Sequence, residues 1–142
     1  MKIALGADHG GFGLKEIIKS HLEKKGIEVL DKGTYSTDSV DYPVYSKAVA
    51  QAVLNNEADY GILICGTGIG ISIAANRFKG IRAALCSNST MAKLTRQHNN
   101  ANILALGARM TGDVLALDIV DEFLNTSFEG GRHTHRIEAI EL

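Results

Sequence analysis

The sequence predicts an α/β fold in which a five-stranded parallel sheet lies between two layers of helices. Three observations predict it. Short apolar runs of strand length alternate five times with segments of helical spacing. Those runs are nearly continuous in hydrophobicity, as strands buried on both faces are. The conspicuous polar residues follow the runs, at the strand ends where such sheets bind ligands. The chain has 142 residues, the length of one domain, and its 45% hydrophobic content can build a core without staples. Residues 1–142 are therefore read as a single domain.

Lys2–Ala7 is the first strand. Leu14, Ile17, Ile18, His21 and Leu22 then recur at i, i+3, i+4, i+7 and i+8, which is one helical face. Gly26 ends that helix, after Lys24 and Lys25 place positive charge on its last turn. Ile27–Leu30 is the second strand. Tyr45, Ala48, Val49, Ala52 and Val53 repeat the helical spacing, and Asn55-Asn56 closes it. Tyr60–Cys65 is the third strand, followed by a helix over Ile69–Arg77. Ile81–Leu85 is the fourth strand. Ser87-Asn88-Ser89 supplies an N-cap for a helix over Met91–His98. After a fifth strand, Ile103–Leu106, the positions Ala116, Ile119, Val120, Phe123 and Leu124 mark a long helix. Gly131–Ala139 is a last, basic helix. Five βα units of this kind form a Rossmann-like or flavodoxin-like three-layer sandwich with right-handed crossovers.

Composition excludes several function classes. A net charge of −1 recommends neither nucleic acid nor an anionic membrane as a partner. No apolar run approaches the roughly 20 residues of a membrane span. The chain opens directly as a strand with no signal-peptide pattern, and its two cysteines form no Cys-x-x-Cys. Reduced thiols and a cytoplasmic location are the expectation. A single proline, Pro43, and the lack of low-complexity sequence argue against linkers and disordered tails.

The segment with the most chemistry is Cys65-Gly66-Thr67-Gly68-Ile69-Gly70, between the third strand and its helix. Glycines let the backbone turn sharply and present its N–H groups to a ligand. The helix start adds partial positive charge, and the field that holds an anion also favours a thiolate. One segment can thus supply a base and a cradle for negative charge, which suits chemistry through an enediolate. The same turn also fits a plain phosphate or nucleotide site, with Cys65 as a small buried hydrophobe. Two other motifs fit poorly. Counting a dinucleotide fingerprint from Gly66 puts its third glycine on Ile71, and no acidic residue stands about twenty positions on. A Walker loop needs Gly-Lys-Ser/Thr, which is missing.

Separated motifs extend this along the whole chain: Gly6-Ala7-Asp8-His9-Gly10-Gly11, Asp41-Tyr42-Pro43, the Cys65–Gly70 loop, Arg96-Gln97-His98-Asn99, and Gly130-Gly131-Arg132-His133 with Arg136. In order and spacing they strongly resemble the type B ribose 5-phosphate isomerases, a family of sugar-phosphate isomerases that also holds the galactose 6-phosphate isomerase subunits. One branch of that family uses a glutamate base inside the helix after the glycine loop. Ser72-Ile73-Ala74-Ala75 holds no acid here, so the chain looks like the cysteine branch.

The resemblance implies interconversion of ribose 5-phosphate and ribulose 5-phosphate in the pentose phosphate pathway; no cofactor is expected. It implies Cys65 as the base that moves a proton between C2 and C1. The backbone of Gly66, Thr67, Gly68, Ile69 and Gly70 would stabilise the enediolate. His98, with Asp8, would open the sugar ring, and Thr67 would help carry protons between substrate oxygens. Tyr42 would line the sugar site beside Asn99. Arg132 and Arg136, four residues apart and hence on one helical face, would grip the phosphate with His9 and Arg109 near. The resemblance further implies a homodimer whose sites are shared between chains, with a tetramer left open, and a C-terminal helix over about 131–141 that meets the partner.

Other residues weigh less. Cys86 reads as buried packing, His21 as a core-edge histidine, and Asp31 and Asp59 as turn residues. His133-x-His135 points its two rings to different helical faces and lacks a third ligand, so no metal is expected. A six-carbon substrate, allose 6-phosphate or galactose 6-phosphate, is the alternative within the family. A phosphosugar-binding regulatory subunit without turnover and a flavodoxin-like redox or receiver domain are the readings from other classes.

Overall fold

The computed structural model describes residues 1–141. Its elements run β1 (Lys2–Ala7), α1 (Phe12–Lys24), β2 (Glu28–Asp31), α2 (Tyr42–Leu54), β3 (Tyr60–Cys65), α3 (Ile69–Ala75), β4 (Ala83–Leu85), α4 (Ser89–Asn99), β5 (Ile103–Gly107), α5 (Asp113–Asn125) and α6 (His133–Ile140). All strand pairs are parallel, in the order β2-β1-β3-β5-β4.

The three central strands divide their side chains between two cores by simple alternation. Ile3, Leu5, Ala7, Ile62, Ile64, Leu104 and Leu106 point to one face, where Leu14, Ile18 and Leu22 of α1 and Ile119, Val120 and Phe123 of α5 cover them. Ala4, Leu63, Cys65, Ile103 and Ala105 point to the other, against Val49, Ala50 and Ala52 of α2 and Ile71 and Ala75 of α3. The α2 layer sits close because the strands offer glycine there: a Cβ on Gly61 would lie 2.5 Å from a Val49 methyl carbon. The expected three-layer α/β architecture is what forms.

Several boundaries move, each for a local reason. The second helix, whose spacing is first legible at Tyr45, begins at Tyr42, where Pro43 already carries helical φ and its missing N–H costs nothing. The fourth strand shortens to Ala83–Leu85 because the Arg82 N–H donates to the Asn102 side chain at 2.8 Å, outside the ladder. The last helix begins at His133, since Gly130 and Gly131 both hold positive φ. Arg132 occupies the N-cap position with φ −59° and ψ −21°, so its one-turn spacing from Arg136 survives. Asn88 caps α4 as expected, its Oδ1 accepting the Met91 N–H at 2.8 Å.

Candidate active site

Strand order determines where a ligand fits. The chain leaves β1 toward β2 on one side and leaves β3 toward β4 on the other, although β1 and β3 are neighbours. Their outgoing loops diverge, and a crevice opens between them at the carboxyl edge of the sheet. Asp8 is buried on one wall, with Oδ1 accepting the N–H groups of Gly10 at 2.9 Å and Gly11 at 3.1 Å. The two loops touch through glycine backbone. A Cβ on Gly10 would stand 3.4 Å from the Gly66 nitrogen, and one on Gly11 would strike the Ile64 carbonyl.

Cys65 forms the other wall. It is 5% exposed, and its Sγ accepts the Gly68 N–H at 3.1 Å. That contact depends on a left-handed turn, since Gly68 has φ 79° and begins α3. Thr67 is exposed and its Oγ1 accepts the Ile69 N–H at 3.2 Å. The N–H groups of Gly66, Thr67 and Gly70 find no protein acceptor among the described residues. A thiol thus sits at the start of a short arc of free backbone donors, an arrangement able to hold developing negative charge.

Three further predicted residues rim this crevice. The Arg109 N–H donates to the Gly66 carbonyl at 2.9 Å, and its side chain lies over Gly66, with Cδ and Nε 3.4 Å from where a Cβ would stand. Tyr42 covers Gly70, its ring Cζ 2.8 Å from the corresponding point. His9 accepts the Val40 N–H on Nδ1 at 3.2 Å and so anchors the loop that leads into Tyr42. Ile69 is 52% exposed beside them.

His98, Asn99, Arg132 and Arg136 are elsewhere. α4 begins at the carboxyl edge after β4 and runs back to the amino edge before β5, so His98 ends at the wrong end of the sheet for Cys65. Buried Arg96 fixes that end. Its guanidinium donates to the Ala101 carbonyl at 2.7 Å, Asn100 Oδ1 at 2.8 Å and the hydroxyl of Tyr60, the first residue of β3, at 3.0 Å. The six residues of β3 separate Tyr60 from Cys65 by about 16 Å. α6 packs at the same far end: the His133 ring stacks on His98 at 4.5 Å, and Arg132 and Arg136 are exposed. Within one chain the predicted residues therefore fall into two groups, at opposite edges of the sheet.

The fold also assembles a trio that helical spacing could not reveal. His98, Glu129 and His133 bring ligand-capable atoms within 4.8 Å of one another, whereas His135 is exposed on another face. The two imidazoles are stacked with 19° between their planes. In-plane lone pairs on near-parallel rings run side by side and do not converge on one ion, so the trio is a poor metal cage.

Sequence reasoning missed one charged cluster next to the crevice. Asp31, expected in a turn, ends β2 and takes Lys15 at 2.7 Å. The Lys15 side chain is fully buried. Burial raises the Asp31 carboxyl, but hydrogen bonds from Lys15 and the Gly33 N–H, with the charges of Lys15 and Lys19, outweigh it and hold the carboxyl below its ordinary value. The only signal was a lysine two turns from the end of the helical face, which reads as surface. Asp59 caps the start of β1, its Oδ2 accepting the Lys2 N–H at 2.8 Å. His21 lies half-buried at 2.8 Å from Asp121 and ties α1 to α5. Cys86 is buried in packing, as expected, and burial pushes its thiol up to about 11.

Among the described residues no helix is long and apolar enough to cross a membrane. Residues 3–140 match the family model described as Ribose/Galactose Isomerase. The chain is 58% identical to ribose-5-phosphate isomerase B of Escherichia coli K12 over 98% of this chain and 93% of that protein. It superposes on ribose-5-phosphate isomerase B of Clostridium thermocellum with a TM-score of 0.99, at 57% identity, over 99% of this chain and 95% of that one. The structure of the Mycoplasma genitalium isomerase B with bound ribulose-5-phosphate matches at 46% identity, with a TM-score of 0.93 and coverage of 99% and 93%. With the crevice geometry, the family model and these near full-length matches in agreement, the chain belongs to the Ribose/Galactose Isomerase family.

Proposed function

We propose that the protein is an aldose–ketose isomerase acting on ribose 5-phosphate and ribulose 5-phosphate, with each active site completed by a second copy of the chain. The observation that carries it is the pairing of a strand-end thiol with a left-handed glycine turn and free backbone N–H groups at the switch point of the sheet. An aldose becomes a ketose by an internal redox step. The C2 proton leaves, the electron pair forms a C1–C2 enediolate, and a proton returns to C1, so no external oxidant is required. Cys65 takes and returns that proton. The N–H groups of Gly66, Thr67 and Gly70 meet the enediolate oxygens.

Ring opening comes first. His98 of the partner subunit and Asp8 act on the ring oxygen and the anomeric hydroxyl, and a histidine can serve either way near neutrality. Thr67 passes protons between substrate oxygens, while Tyr42 and the partner's Asn99 line the sugar. The partner's Arg132 and Arg136 grip the phosphate beside His9 and Arg109. The exposed apolar side chains along the crevice edge support a partner there. Ile69, Met91 and Met110 are 41% to 71% exposed and line an apolar pocket with Leu85 and Thr67, a residue of the glycine turn. The C-terminal helix α6 is the element we assign to the partner's crevice.

The test is turnover of a panel of ribose 5-phosphate, allose 6-phosphate and galactose 6-phosphate, with exchange of the C2 proton into solvent followed by NMR. Ribose 5-phosphate is expected to have the highest kcat/KM. A six-carbon substrate in first place would move the assignment within the family, and no exchange with any of them would reduce the chain to a binding subunit.

A further inference from the structure

The inference rests on the two-chain site proposed above. The donated half of that site comes from two segments, with His98 and Asn99 at the end of α4 and Arg132 and Arg136 on α6. A partner can use them together only if the segments keep a fixed spacing. At its start α6 is held by the His133–His98 stack, and just before it the Glu129 N–H donates to the Gln97 carbonyl at 3.1 Å. At its end Glu141 Oε2 accepts the Gly80 N–H at 2.9 Å, while Oε1 accepts Arg82 Nη1 at 2.6 Å.

Arg82 also reaches the other segment. Its Nε donates to the Asn99 carbonyl at 2.9 Å and its Nη2 to the Asn100 carbonyl at 3.0 Å. These carbonyls end α4, where the helix itself supplies no N–H donors, and Asn100 turns away in the left-handed region at φ 44°. The Arg82 side chain is only 17% exposed. Its backbone is fixed in turn by the Asn102 side chain, and β4 begins at the next residue. One planar group therefore joins the sheet, the end of α4 and the end of α6.

We propose that Arg82 is a positioning residue for the active site of the partner subunit, locking the ends of α4 and α6 into one unit so that His98 and Asn99 arrive at a set distance from Arg132 and Arg136. Arg82 faces its own chain and touches no substrate. Lysine is a poor replacement, because a single ammonium on a flexible stem cannot span three partners in one plane.

Two measurements separate positioning from general support of the fold. The first is the split between KM and kcat for ribose 5-phosphate. Glu141→Gln loosens only α6, so KM rises and kcat stays within about twofold. Arg82→Met also frees Asn99 and His98, so KM rises about tenfold or more and kcat falls by a similar factor, the scale of ångström misplacement. Arg82→Lys lies between. The second is chain exchange between inactive dimers at substrate below KM. Arg82→Met mixed with Cys65→Ala recovers activity, because one site in each mixed dimer has an intact crevice and an intact donated half. Arg82→Met mixed with Arg136→Ala does not, because both lesions lie in donated halves and every site carries one. Cys65→Ala with Arg136→Ala is the control. If the control recovers and the Arg82 cross with Cys65→Ala does not, or if the Arg82 cross with Arg136→Ala recovers, the positioning role is wrong. If the control itself fails despite demonstrated exchange, the shared site is wrong and the inference falls with it. Should Arg82→Met not fold, Arg82→Lys carries the same crosses, with recovery read against its own residual activity and the same expected pattern.

Discussion

Gly68→Ala places a methyl group where the protein has no room for one. The residue holds φ 79°, a region that costs an L-residue about 1–2 kcal/mol. A Cβ there would stand 2.5 Å from a Leu85 methyl carbon and 2.8 Å from the Leu106 carbonyl carbon. The second neighbour is backbone of a central strand and cannot rotate away, so overpacking adds about 1–3 kcal/mol. The expected loss is about 3 kcal/mol, and for a urea slope of about 2 kcal/mol per M the midpoint falls by about 1.5 M. Equilibrium unfolding followed by circular dichroism reads this directly. Gly13→Ala is the reference: Gly13 lies in α1 with open space around it, and alanine there is expected to stabilise by roughly 0.5 kcal/mol. Any relaxation that accommodates the Gly68 methyl must shift the Gly68 N–H from the Cys65 sulfur, so kcat falls at least about tenfold, a loss of about 1.4 kcal/mol in the barrier. Stability within about 1 kcal/mol of wild type, with normal kcat, would mean that the left-handed turn and its thiol contact do not exist in solution.

The remaining predictions concern the thiols, the sugar ring and the acid limb. Cys65→Ala is expected to lower kcat by about 10²-fold or more with little change in KM. Substrate is expected to protect Cys65 from alkylation, and peptide mapping should find Cys86 unmodified in the folded protein, since it is 1% exposed and its thiol sits near 11. His98→Asn is expected to slow a ring-forming substrate far more than an open-chain analogue, and equal losses on both would remove His98 from ring opening. The Asp31 carboxyl is lower in the folded chain than its ordinary value of 3.8. Its stabilisation is therefore complete above that value and lost as pH falls below about 4 through the folded pKa. Asp31→Asn should flatten this acid limb of the stability profile, and an unchanged limb would show that the Lys15 pair contributes nothing there.

The layers and the crevice were legible in sequence because periodicity reports them. The apolar runs of β1, β3 and β5 are each uniform enough to require cover on both faces, and the glycines after β3 mark the turn that lifts Cys65 to the sheet edge. Asp8, Cys65, Thr67, Tyr42 and Arg109 meet because parallel strands put all their outgoing loops on one side. The place of His98 is topological as well: a helix that follows a strand runs back to the opposite edge. What periodicity cannot report is which polar groups meet across the chain. Lys15 is fully buried although it reads as surface, because Asp31 from β2 and the rings of Phe12 and Tyr35 enclose it. The His98–His133 stack joins residues 35 positions apart, with no local pattern to announce it. Arg82 looked like part of a strand, and only the fold shows its guanidinium between two helix ends.

The proposed active site is made from two chains, and chain exchange between two inactive homodimers tests that most directly. Cys65→Ala dimers and Arg136→Ala dimers are mixed in equal amounts and allowed to exchange. In each mixed dimer one site carries both lesions and the other carries neither. With random pairing about half of the dimers are mixed, and each has one intact site of two, so activity rises to about a quarter of wild type. Activity that stays at the level of the separate variants, while exchange of labelled chains is demonstrated, would contradict the account and return every catalytic group to a single chain.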